Sequence, residues 1–225
     1  MSGIAGGVTE IKFADATTGY ATSSGGYSTP FSLYKTSDGG LSWAPIYTSP
    51  AAITVSDLIL VDASTGYILA QDASHNATII RISVGAVGTS STFPAYTFFE
   101  CGHFSSATDG FITAGTAGTA PAFYILKTTD GGSSWTATYT SGNNFQSAMA
   151  FDGASTGFAV GGRGLQTSDG GSSWSLMDTA SFYGFGSPFD MAIRNGVRII
   201  VGEYGLIRRQ AGTTAASNIT SQLAA

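Results

Sequence analysis

Residues 127–135 read KTTDGGSSW, and nearly the same nonapeptide stands at 35–43 (KTSDGGLSW) and at 166–174 (QTSDGGSSW). A carboxylate at the head of a tight loop accepts hydrogen bonds from backbone N–H groups two or three residues on, which fixes the loop. The two glycines supply positive φ without a Cβ clash. The tryptophan then opens the next strand, where an indole is large enough to fill a wedge between neighbouring sheets. Asp38, Trp43, Asp130, Trp135, Asp169 and Trp174 are therefore expected to be structural. A metal loop is disfavoured, because Asp-Gly-Gly lacks the alternating carboxylates of a calcium-binding hand.

Working outward from these loops, a longer repeat runs through the chain. FADATTGYA (13–21), VDASTGYIL (61–69), FSSATDGFI (104–112) and FDGASTGFA (151–159) are versions of one segment. Their glycines, Gly19, Gly66, Gly110 and Gly157, are spaced by 47, 44 and 47 residues. Each copy opens with alternating apolar and polar residues, turns at an Asp/Ser/Thr/Gly cluster and continues in a Tyr-, Phe- or Val-rich run, which reads as strand, turn, strand. Four strands in about 45 residues is the pattern of a propeller blade. The sequence thus predicts a single all-β domain over 1–225, a β-propeller of five four-stranded blades near 8–49, 54–97, 98–141, 144–180 and 187–223. The repeated nonapeptide is missing from the second unit and from the fifth, so those loops must be held differently. The tail around 218–223 is the expected closing strand, with an open arc completed by another subunit as the alternative.

The nonapeptide resembles the Asp-box, or BNR repeat, of sialidases, sortilin-like receptors and the photosystem II assembly factor family. Thr128 to Trp135 carries the match, with Thr36 to Trp43 and Thr167 to Trp174 beside it. GFAVGGRGLQTSDGGSSW and RIIVGEYGLIRR look most like the photosystem branch. That resemblance implies a propeller and an arginine-bearing binding face, here loosely supplied by Arg194, Arg198, Arg208 and Arg209. Sialidase kinship would imply an arginine cluster with a Tyr/Glu pair. The only glutamates are Glu10, Glu100 and Glu203, and the Arg-Ile-Pro type motif is absent.

Composition narrows the function. Only 10% of residues are charged, against roughly 25% in an average soluble protein. A net charge of −5 leaves no basic stripe for phosphates, so nucleic acid is not expected as a partner. The start lacks the basic and apolar regions of a signal peptide, and no apolar run is long enough to span a membrane. A virion or cytoplasmic location and no membrane insertion are therefore expected. Cys101 is alone and reads as a buried thiol; no cofactor or metal is expected.

Loop variation on a rigid scaffold is where binding concentrates. The connections between second and third strands are long in the first three units and short in the last two, and they share one rim with 178–189, which is rich in aromatics. The candidate rim comprises Tyr27, His75, Asn143, Asn144, Arg163, Phe182, Tyr183, Phe185, Glu203 and Tyr204. The expected function is a non-enzymatic interaction or structural module in a larger assembly, with a phage virion protein as the concrete version. Its partners would be other proteins or a cell-surface glycan. An assembly chaperone resembling the photosystem II factor, or a glycan-binding or sialidase-like protein, is the alternative.

Overall fold

The computed structural model describes residues 3–23, 29–83, 86–142, 144–177 and 187–210. Apart from a 3-10 turn at Glu203–Gly205, every regular element among them is a strand, and all adjacent strands pair antiparallel. The first sheet contains β1 (Val8–Phe13), β2 (Gly19–Ser23), β3 (Pro30–Thr36) and the start of β4 (Ala44–Leu60). The second continues from β4 through β5 (Thr65–Asp72) and β6 (Ala77–Ser83) to β7 (Ala86–Phe93). The third holds β8 (Phe98–Phe104), β9 (Gly110–Gly115), β10 (Phe123–Thr128) and β11 (Thr136–Ser141). The fourth holds β12 (Gln146–Asp152), β13 (Thr156–Gly161), β14 (Leu165–Thr167) and β15 (Ser175–Leu176). The last has β16 (Pro188–Arg194), β17 (Val197–Gly202) and β18 (Ile207–Gln210).

The boundary expected between the first two units, at 49–54, is not a break. β4 is one continuous strand that pairs with β3 as far as Ala52 and with β5 from Ile53 onward. Pro50 has no N–H to give the ladder. The buried Ser49 hydroxyl compensates, accepting from the Phe31 N–H at 3.0 Å and donating to the Ala51 carbonyl at 2.7 Å.

The repeated glycines stand at the start of second strands. Phe13, Phe104 and Phe151 lie directly across from Gly19, Gly110 and Gly157. A Cβ on those glycines would stand 2.8, 2.4 and 2.5 Å from the facing ring. The glycine thus lets the ring lie flat on the backbone and reach the neighbouring sheet. Phe104 stacks on Tyr67 at 3.8 Å and Phe151 on Phe111 at 5.0 Å, with Trp135 and Trp174 edge-on to Phe104 and Phe151 at 6.1 and 5.9 Å. The last sheet departs from this scheme. Arg194 pairs with Val197 where the first, third and fourth sheets place Phe opposite Gly and the second places Leu60 opposite Gly66, and the Arg198 guanidinium covers the Phe158 ring at 3.8 Å.

The innermost strands lie side by side, β1 by β4, β4 by β8, β8 by β12 and β12 by β16. Each carries a register shift at the same place, between Val8 and Glu10, Val55 and Asp57, Phe99 and Gly102, Gln146 and Ala148, and Pro188 and Asp190. A bulge recurring on every inner strand bends it and re-aims its side chains. The tail expected to close the ring lies outside the described residues.

Candidate functional site

The three nonapeptide loops share one geometry, which differs in detail from the sequence expectation. The aspartate's main bonds reach four residues on, with a smaller backbone contribution from the residue three on. Asp130 Oδ1 accepts from the Ser134 N–H at 2.9 Å and Oδ2 from the Ser134 hydroxyl at 2.6 Å. The threonine two residues earlier completes the clasp: Thr128 Oγ1 donates to Asp130 at 2.8 Å and accepts from the Gly132 N–H at 2.9 Å. Asp38 with Thr36 and Ser42, and Asp169 with Thr167 and Ser173, repeat it. Both glycines of each pair have positive φ, as Gly131 at 69° and Gly132 at 84°. The first glycine ties its loop to the turn after the inner strand, Gly131 N–H to the Thr108 carbonyl at 2.9 Å, with Gly39 to Thr17 and Gly170 to Ser155 as counterparts. These bonds, those from Ser134 first, hold Asp130 down at about 2, and Ser42 does the same for Asp38. In the second sheet β6 and β7 pair with Ser83 opposite Ala86.

Of the rim candidates, Tyr27, Asn143, Phe182, Tyr183 and Phe185 lie outside the described residues. His75 sits exposed at φ 62° in the β5–β6 turn, which Asp72 caps by accepting from the Ser74 and Asn76 N–H groups at 2.8 and 2.9 Å. Glu203 accepts from the Ser187 N–H at 3.1 Å, while Tyr204 projects with 95% of its surface exposed. Asn144 and Arg163 are brought together by a residue the sequence reading missed: the Gln146 side-chain nitrogen donates to the Arg163 carbonyl at 3.0 Å and the Asn144 carbonyl at 3.4 Å. The Arg163 Nε is buried without a partner.

A second group missed by the sequence reading lies on the axis. All five inner strands line one cavity of about 350 Å³. Its carboxylates are Glu10, Asp57, Glu100 and Asp190, and its lone cation is Lys12, 3.9 Å from Glu10. Glu10, Glu100 and Asp190 lie in the first half of β1, β8 and β16, and Asp57 lies just past the bulge in the part of β4 that pairs with β5. Asp57 Oδ2 accepts from the Gly102 N–H of the next sheet at 3.0 Å. Burial nevertheless lifts its carboxyl to about 6, against the opposing pull of Lys12 and that hydrogen bond. Burial also raises Glu10, with Lys12 opposing and Asp190 adding repulsion, and it raises Glu100. A positional signal existed: Glu10 and Asp57 stand three residues before the last residue of their strands, Glu100 and Asp190 four before.

Cys101 is buried against the Thr113 hydroxyl at 3.4 Å, and burial pushes its thiol far up. His103 stacks on Phe151 at 4.9 Å, with burial lowering its basicity. Among the described residues no cluster of three His, Cys, Asp or Glu is arranged to hold a metal, and no helix is long and apolar enough to cross a membrane.

No protein-family model and no curated protein matches the sequence significantly. Solved structures do match in fold. The chain is similar to YCF48 bound to D1 peptide, with a TM-score of 0.60 and 14% identity over 90% of this chain and 62% of that one. It is similar to the WD40 β-propeller domain of Doa1, with a TM-score of 0.57 and 13% identity over 88% of this chain and 62% of that one. It is also similar to the β-propeller domain of the Trilobed protease from Pyrococcus furiosus, with a TM-score of 0.65 and 11% identity over 96% and 69%. The chain spans only 62% of the first of these structures. At such identities the likeness is one of fold alone, that of the β-propellers.

Proposed function

We infer that the chain is a five-sheet propeller of the Asp-box type that acts as a non-enzymatic protein-binding module, with the axial mouth and adjoining rim as its binding face. The observation that carries this reading is the cavity where five inner strands meet, lined by four carboxylates and a single lysine. Such a mouth attracts basic segments and repels acidic ones. The repeated loops contribute rigidity, because the carboxylates of Asp38, Asp130 and Asp169 are engaged by their own loops. Peptide binding by YCF48 and the WD40 character of Doa1 supply an analogy for a protein partner. The low charge content of 10% favours membership of a larger protein particle, of which a virion is one kind.

The test is a peptide array probed with the whole chain at low salt. Basic peptides should bind, acidic ones should not, and Asp57→Asn combined with Glu10→Gln should weaken the signal. Equal binding of both peptide classes, or binding only on a glycan array, contradicts the reading.

A further inference from the structure

Between the third and fourth sheets a small pocket opens at the rim, walled by Phe98, Phe123 and Phe145 and floored by Asn144, Gln146 and Glu100. The three rings surround one another with centroids 6.0 to 6.4 Å apart. Two acceptors in it are unspent: Asn144 Oδ1 and Gln146 Oε1 have no hydrogen-bond partner, on side chains only 2% and 3% exposed. The Gln146 amide cannot be turned to relieve this, since its nitrogen is fixed by two carbonyl acceptors, those of Arg163 and Asn144. Two buried acceptors left without donors are costly. Glu100 adds a third acceptor, and no Lys, Arg or His lines the pocket.

We propose that this pocket is a socket for the ε-ammonium group of a lysine presented by a protein partner. An ammonium offers three donors and no acceptor, matching two amide oxygens and a carboxylate. Its apolar stem would lie along the outer side of the phenylalanine cluster, whose ring faces also favour a cation. The enclosed space of about 10 Å³ admits one group the size of a water molecule, which fits an ammonium head and excludes a planar guanidinium. A water would satisfy the amide oxygens but bring no positive charge to Glu100, and no cationic side chain among the described residues lines this pocket. The socket rests on the reading of the rim as a protein-binding face and names the side chain that face selects.

The experiment is a titration of the whole chain with Nα-acetyl-lysine N-methylamide, followed by NMR at the side-chain amides of Asn144 and Gln146. The norleucine and arginine analogues serve as controls. The lysine analogue should shift both amides saturably, the others should not, and Glu100→Gln should weaken binding about tenfold while the chain stays folded by circular dichroism. Phe145→Leu, which keeps the pocket apolar, should weaken it less. Equal response to norleucine, indifference to Glu100→Gln, or amides unmoved by lysine because a water stays in place each overturn the socket. Arginine-only peptides that bind the chain while these amides stay silent also overturn it, yet leave the protein-binding reading intact.

Discussion

Aspartates at the outer loops and carboxylates on the axis meet opposite fates. Asp130 is exposed, yet two hydrogen bonds from Ser134 and one from Thr128 hold its carboxyl at about 2. Asp57 accepts a hydrogen bond from the Gly102 N–H, yet burial lifts it to about 6. Hydrogen bonding favours the charged form and desolvation the neutral one. The difference separates two uses of one side chain: a carboxylate consumed by its own loop is a building part, whereas one held in a cavity with acceptor capacity to spare is available to a ligand.

The strongest way to sharpen the contrast is to remove the anchor of a loop. Trp174→Ala takes away an indole edge-on to both Phe111 and Phe151. It should cost about 3–5 kcal/mol of stability in urea unfolding. A loss under about 1 kcal/mol would mean the loops do not staple the sheets. Next, Thr128→Val leaves the Gly132 N–H without its acceptor and should cost about 1–3 kcal/mol. An unchanged unfolding midpoint would leave the aspartate as the loop's sole fastener.

On the axis the sign reverses. Because the Asp57 carboxyl is raised in the folded state, the folded chain holds its proton more tightly than the unfolded chain. Stability from this group is complete below about pH 4 and is lost as pH rises through about 6. Asp57→Asn should therefore stabilise the protein at pH 7 by about 1–3 kcal/mol and have little effect near pH 4. Destabilisation at pH 7 would place a cation beside Asp57 in solution. The loop aspartates run the other way: their contribution is present above about pH 4 and fades as pH falls toward about 2. Asp130→Asn should therefore lower the urea midpoint at pH 7, by an amount that shrinks on acidification. A deficit that stays constant down to pH 3 would rule out the charge as its source.

The loops were legible because their parts are local. Thr128, Asp130, Gly132, Ser134 and Trp135 act on one another within eight residues, so spacing alone announces them. Threonine's share was not read, since its hydroxyl bonds back to the loop rather than following the rule for the aspartate. The axis was illegible for a different reason. Glu10, Asp57, Glu100 and Asp190 are brought together only by the packing of successive inner strands around one cavity, and the bulge on each inner strand breaks the alternation by which facing residues are counted. Asn144 falls on the rim by its place in a connection, whereas Gln146, within QSAMAF, has the pattern of an ordinary strand residue.

The most direct test of the contrast is a carbon-13 NMR titration of every Asp and Glu carboxyl in the folded chain. Asp38, Asp130 and Asp169 should titrate well below free aspartate, with Asp57, Glu10 and Glu100 above their ordinary values. An Asp130 titrating as in a free peptide, or an Asp57 titrating below one, would contradict the division between carboxylates that build and carboxylates that wait for a partner.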